Sequence, residues 1–98
     1  MVLRVAWFEP MAPGVEAEML NNLRVRFRAA LQAQPGFISA YWGRAENGSW
    51  VSTSLWDSRE AAEEAGKRAN AVPLAPGQRA ELIPSHNSAD LYDVIEEG

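Results

Sequence analysis

An α+β fold, in which two helices pack on a four-stranded antiparallel sheet, is predicted by three features of the sequence. The first is the element order β-α-β-β-α-β, which follows from the changes in hydrophobic periodicity along the chain. The second is the dipeptide Asn47-Gly48 between two strand-like segments, since Asn-Gly is the strongest short signal for a β-hairpin. The third is the length of 98 residues, which suits one domain, 1–98, with one core.

The first half of the chain supplies one strand and one long helix. Residues 2–9 alternate as a β-strand whose two sides are both largely apolar. Over 14–34 the apolar residues recur every three or four positions, which is typical of an amphipathic helix. Pro35 and Gly36 end this helix, because proline cannot continue the hydrogen-bond ladder and glycine permits a sharp change of direction.

Residues 37–46 and 49–56 are predicted to form the two strands of the hairpin. If the turn contains two residues, Tyr41 lies opposite Ser54 and Gly43 lies opposite Ser52. One side of the hairpin then alternates aromatic with small residues, and the sequence leaves open whether that side meets the helices. The residues that this register places on the aromatic side are Phe37, Ser39, Tyr41, Gly43, Trp50, Ser52, Ser54 and Trp56.

The second half completes the fold. Residues 57–70 are predicted to form a second helix, in which Asp57 is the N-cap and Glu60 completes a capping box. The inward side of this helix carries alanines, so the helix can approach the sheet closely. A short helix at 78–83 and a last strand at 89–95 follow. This order is the ferredoxin-like split βαβ arrangement.

The sheet face opposite the helices is expected to bind a second copy of the chain. Both helices cover one face in this arrangement, and the apolar residues of the other face would otherwise form a large exposed patch. Two sheets that meet face to face in a symmetric dimer would bury that patch. The expected partner is therefore the chain itself.

The composition excludes several classes of protein. With 13 acidic and 9 basic residues, the chain has a net charge of −4, which argues against binding to nucleic acid. The absence of cysteine excludes disulfides, thiolate metal sites and a cysteine nucleophile. No apolar run approaches the ~20 residues that span a bilayer, and no signal-peptide pattern is found, so neither membrane binding nor export is expected. A cytoplasmic location is the expectation.

A helix that ends in Pro-Gly-Phe, a hairpin, and a Trp-acid-Ser start to the next helix together resemble a known family. The segments are 34–37 (QPGF), 46–48 (ENG) and 55–61 (LWDSREA). They are similar to the dimeric α/β-barrel superfamily, in its antibiotic-biosynthesis-monooxygenase-like branch. The resemblance implies a homodimeric barrel with a cleft between sheet and helices. In some members that cleft oxidises polycyclic aromatic compounds without metal or flavin, so no metal and no cofactor are expected here.

Haem degradation, which other members perform, is not expected of this chain. Those relatives resemble one another in an asparagine on the first strand and a histidine in the second helix. In this chain residues 2–9 contain no asparagine and residues 58–70 contain no histidine.

His86 and Tyr41 are the candidate catalytic residues, and Tyr92 is a further conceivable proton acceptor. His86 is the only histidine, so a metal site built on several histidines is excluded. It could act as a general base if its loop folds over the cleft. A solvent-exposed loop histidine is the alternative, and the sequence favours it.

The candidate substrate-binding residues are aromatic side chains with hydroxyl groups between them. Such a surface could admit a small, flat aromatic ligand and orient it. Core or interface packing is the alternative, and it is favoured for Trp56. The residues are Trp50, Trp56, Ser52, Ser54, Phe37 and Tyr92.

Arg4 and Arg44 lie within strands, where a buried charge needs a partner. Either could bind an acidic group of a substrate. The favoured alternative is that they reach solvent or pair with Asp90 or Asp93.

Two functions therefore remain open. One is a cofactor-independent oxygenase that acts on an aromatic or quinol-type compound. The other is a non-catalytic dimeric module that binds a small hydrophobic ligand or has only a structural role.

Overall fold

The structure, a computed structural model, describes residues 1–98 and has the predicted order of elements. The four strands form one antiparallel sheet in the order β2-β3-β1-β4, which confirms the ferredoxin-like arrangement. A 3₁₀ turn at Ala80–Leu82 replaces the short helix predicted at 78–83. The elements are β1 at Val2–Phe8, α1 over 13–32, β2 at Phe37–Arg44, β3 at Trp50–Trp56, α2 at Arg59–Asn70 and β4 at Ser88–Asp93.

A π-helical turn interrupts α1. The helix is α-helical at Pro13–Asn22 and Arg28–Gln32, and Leu23–Phe27 between them is π-helical. There the N–H of Arg28 donates to the carbonyl of Leu23, five residues earlier. Because a π turn holds more residues than an α turn, it changes which side chains face the sheet. None of the helices is long and apolar enough to cross a membrane.

The predicted two-residue turn in the hairpin is wrong. The Ala45 carbonyl accepts from the Gly48 N–H at 2.9 Å, and the Ala45 N–H donates to the Ser49 carbonyl at 2.8 Å. These two bonds close a loop of three residues, 46–48, in which only Gly48 has a positive φ, +91°. Asn47 stabilises this geometry, since its Oδ1 accepts from both the N–H and the hydroxyl of Ser49.

The three-residue loop moves the register of β2 by one position. Tyr41 lies opposite Thr53 and Trp42 opposite Ser52, so Tyr41 and Gly43 lie on the side predicted for the aliphatic residues. Phe37 pairs with Trp56, because an irregularity between Phe37 and Ser39 shifts the register by one further position and keeps Phe37 on the side of Trp56.

The side of β3 that carries Trp50, Ser52, Ser54 and Trp56 meets the helices, and all four residues are buried. The sequence left open whether the aromatic side of the hairpin meets the helices, and for β3 it does. The opposite sheet face remains open and carries Tyr41, Tyr92 and Trp7, which are 73%, 51% and 40% exposed.

The second helix begins one residue later than predicted, and its N-cap is Ser58. The Ser58 Oγ accepts from the Ala61 N–H at 3.2 Å. The Asp57 N–H donates to the Gly36 carbonyl at 2.9 Å, which ties the end of β3 to the turn after α1. Gly36 has φ +83°, and a Cβ there would lie 2.8 Å from the Ala61 Cβ. This turn therefore requires glycine.

The alanine side of α2 packs on Trp56, as predicted. Ala62, Ala65 and Ala69 are buried in one core cluster with Val2, Leu31 and Trp56. A second cluster lies at the other end of the helix-facing side of the sheet, and it consists of Ala6, Phe8, Met19, Leu23 and Trp50.

Candidate functional site

A cleft of about 530 Å³ opens between the sheet, α1 and the segment that follows α2. Its floor is formed by three small residues on the central strands, Ala6, Ser52 and Ser54. Ser52 and Ser54 lie between Trp50 and Trp56, which belong to the two core clusters and fill the space at either end of β3, and Ala6 of the second cluster pairs with Ser52. Because the residues between the two tryptophans are small, the sheet surface there stays uncovered and a cavity forms.

The two serines leave polar groups at the floor. The Trp56 Nε1 donates to the Ser54 Oγ at 2.8 Å, so the hydroxyl hydrogen of Ser54 stays available to a ligand. The Ser52 hydroxyl makes no hydrogen bond within the protein. It is not fully buried, because every fully buried polar side-chain atom has a hydrogen-bond partner. The hydroxyl of Ser52 is therefore open to the cleft. Ser52 and Ser54 therefore face the cleft, whereas Trp56 is 0% exposed and belongs to the core, which is the alternative that the sequence favoured for it.

One wall of the cleft is held by a buried arginine that the sequence analysis missed. Arg26 is 8% exposed, and its Nη1 donates to the carbonyl of Val72 at 2.6 Å and of Asn70 at 3.4 Å. Its Nε donates to the Oδ1 of Asn22, which is 3% exposed and also accepts from Gln78 Nε2. These bonds fasten the segment after α2 to α1.

His86 lies at the mouth of the cleft. Its ring meets Phe8 edge to face, with centroids 6.4 Å apart and planes at 88°. Asn87 fixes the loop, since its N–H donates to the Trp7 carbonyl and its Oδ1 accepts from the Glu9 N–H, both at 2.8 Å. His86 is thus exposed, as the sequence favoured, and also lines the cleft.

Four predicted site residues do not line the cleft. Tyr41 and Tyr92 lie on the open sheet face, where the corrected register and the pairing of β4 with β1 place them. The Trp50 Nε1 donates to the Glu16 carboxylate at 3.2 Å, and Phe37 packs edge to face on Trp56. Trp50 and Phe37 support the cleft but do not border it.

Neither strand arginine pairs with Asp90 or Asp93, but Arg44 reaches solvent, as the favoured alternative expected. Arg44 forms an ion pair with Glu16, and Asp93 forms one with Arg59 at 3.0 Å. Arg4 lines the cleft, is half-buried and makes neither a hydrogen bond nor an ion pair. Burial lowers the pKa of the Arg4 guanidinium from its ordinary value. No three His, Cys, Asp or Glu side chains are grouped as metal ligands.

Solved structures with the same fold have low sequence identity to this chain, between 16% and 21% in three cases. The haem degrader MhuD of Mycobacterium tuberculosis is 21% identical, with a TM-score of 0.63 over 100% of this chain and 99% of that chain. SnoaB, a cofactor-independent oxygenase of Streptomyces nogalater, is 20% identical, with a TM-score of 0.66 over 98% and 94%. The monooxygenase ActVA-Orf6 of Streptomyces coelicolor, solved with nanaomycin D, is 16% identical, with a TM-score of 0.63 over 98% and 88%.

Sequence comparison identifies the family. No curated protein sequence gives a significant match. A family model described as antibiotic biosynthesis monooxygenase matches residues 1–71, well over half of the chain. This confirms the resemblance seen in the hairpin and helix-start segments. The chain belongs to the antibiotic biosynthesis monooxygenase family.

Proposed function

We propose that the protein is a cofactor-independent oxygenase that binds a polycyclic quinol-type compound in the cleft. The observation that carries the proposal is the cavity of about 530 Å³ over a floor of small residues that includes the Ser52 and Ser54 hydroxyls. Ligand sites of this size are typically apolar with a few placed polar groups. Membership of the family and the oxygenase activities of SnoaB and ActVA-Orf6 support the same assignment.

The proposed oxidation needs a base, because the deprotonated substrate itself supplies the electrons to O₂. An activated ring CH₂ loses a proton to the base, and the resulting carbanion supplies electrons to O₂. The balanced change is one CH₂ and one O₂ giving one C=O and one water. Of the three candidate bases, His86 borders the cleft and can accept the proton. Tyr41 and Tyr92 lie on the opposite face of the sheet and do not border it.

Anthrone is the test substrate, because its central CH₂ becomes the second carbonyl of anthraquinone. We expect the protein to accelerate oxygen uptake by anthrone above the rate in buffer, as measured with an oxygen electrode. We expect His86→Gln to lower kcat by about 10²-fold, the lower range for loss of a general base. The matched control is Tyr41→Phe, which changes the open face and should leave kcat unchanged.

Two outcomes would count against the oxygenase. Oxygen uptake equal to that in buffer, with anthrone bound, would favour the non-catalytic binding module. Full activity in His86→Gln would remove His86 as the base. Haem degradation is not proposed, because no histidine lies on α2 and β1 turns Arg4, Ala6 and Phe8 toward the cleft.

The protein is further proposed to be a homodimer that joins through the open sheet face. Exposed aromatic side chains on a regular sheet face form the kind of apolar patch that marks an interface. We expect sedimentation to give a mass of about twice 10.8 kDa. Thr53→Arg places a charge at the centre of this face and should yield the monomer. Gln32→Arg adds the same charge on the helix side and should remain dimeric, and a wild-type monomer at micromolar concentration would contradict the proposal.

A further inference from the structure

The cleft has the opposite charge to the protein that surrounds it. The chain has a net charge of −4, with 13 acidic residues. None of these acidic residues borders the cleft, whereas Arg4 and Arg26 both do. A positive field in a concave, partly dry site attracts anions and is stronger there than at a flat surface. The charge of the cleft is therefore a property that a ligand can recognise.

The two arginines differ in whether the protein itself uses their N–H donors. Arg26 is occupied by the protein, because its guanidinium donates to Asn22 and to the carbonyls of Asn70 and Val72. Arg4 donates to no group of the protein. Since a guanidinium carries five N–H donors and loses hydration when it is half-buried, an unused one in a cavity favours a ligand acceptor.

The surroundings of Arg4 hold it in place without neutralising it. It lies on β1 between Ser54 of β3 and Leu91 of β4. Its guanidinium faces α2 at Gly66, where a Cβ would lie 3.9 Å from Cζ and Nη2. Glu63, Lys67 and Asp90 border a shallow depression on the other side of Arg4, and neither carboxylate comes within ion-pair distance of it.

We infer that Arg4 binds an anionic group, a carboxylate or a phenolate, of the aromatic compound in the cleft. This inference rests on the proposed function only in that an aromatic ligand occupies the cleft. The planar fork of a guanidinium matches a carboxylate with two parallel hydrogen bonds, and such charge-assisted bonds are the stronger ones. Arg4 thus determines specificity, because it selects an acidic polycyclic ligand over its neutral analogue.

The test compares anthraquinone-2-carboxylate with anthraquinone-2-carboxamide, which has nearly the same shape and no charge. Both are already oxidised, so binding is measured without turnover, by isothermal titration calorimetry. We expect the wild-type protein to bind the acid about tenfold or more tightly than the amide. Arg4→Met should bind both alike, and Arg4→Lys should keep part of the preference. Arg24→Met removes the same charge from the exposed side of α1 and should keep all of it.

Three results would overturn the inference. They are equal binding of acid and amide by the wild-type protein, no binding of the acid, and a preference that survives in Arg4→Met. The first two need no variant, so they decide the matter even if Arg4→Met does not fold. A preference for the acid without oxygen uptake by anthrone would leave Arg4 as an anion site in a binding module. Oxygen uptake without that preference would keep the oxygenase and remove the role of Arg4.

Discussion

Trp56→Ala lowers the free energy of unfolding by about 3–5 kcal/mol, the range for removal of a large buried aromatic side chain. Trp56 is 0% exposed and packs against the alanine side of α2. Those alanines are too short to fill the space that the indole leaves. The change also removes the edge-to-face contact with Phe37, whose centroid is 5.5 Å away, and the hydrogen bond to Ser54. Urea unfolding followed by circular dichroism measures the loss.

Trp56→Phe is the matched variant for this prediction. It keeps an aromatic ring beside Phe37 and loses the indole N–H, so the expected cost is about 1–2 kcal/mol. A small domain has a stability of roughly 5–15 kcal/mol, so the alanine variant would lose a large part of it. If Trp56→Ala cost no more than Trp56→Phe, the contact between α2 and the sheet would not depend on this side chain.

The fold was predictable from the sequence because its signals are local. Changes of periodicity, the Pro35-Gly36 stop and the alanine side of α2 each depend on neighbouring residues, and the structure confirms the elements they predict. The hairpin register was not predictable in the same way. Asn-Gly favours a two-residue turn, but here the Asn47 side chain bonds to Ser49 and a three-residue loop forms. One added loop residue was enough to move Tyr41 to the other face.

The candidate site was predictable on β3 and at two single residues outside it, Arg4 and His86. The Trp-Ser-Ser-Trp alternation in residues 50–56 indicated a gap between bulky side chains, and that gap is the floor of the cleft. The rest of the site depends on contacts between distant segments. Arg26 bonds to Asn70 and Val72, which are 44 and 46 positions further along the chain. The π turn that carries Arg26 has no recognised sequence signal. The available clue was that Asn22 and Arg26, four residues apart, lie on the apolar side of the predicted helix.

Arg26→Met is expected to release the wall of the cleft that follows α2. The guanidinium bonds to two carbonyls and to Asn22, and hydrogen bonds to charged groups contribute about 1.5–3 kcal/mol each at most. We expect the free energy of unfolding to fall by about 2–3 kcal/mol, since water can reach the freed carbonyls and methionine retains part of the apolar packing. Amide exchange at Ala75 and Gln78 should quicken, because these amides bond within the segment that Arg26 fastens.

Arg24→Met is the control, because Arg24 belongs to the same π turn but points to solvent. It should leave both the unfolding free energy and the exchange of Ala75 and Gln78 close to the wild-type values. Arg26→Lys retains the charge but not the fork that reaches Asn22 and Val72 together, so its exchange rates should lie between those of wild type and Arg26→Met. Unchanged exchange in Arg26→Met would mean that Gln78 alone, through its bonds to Asn22 and Ala75, holds the wall in place.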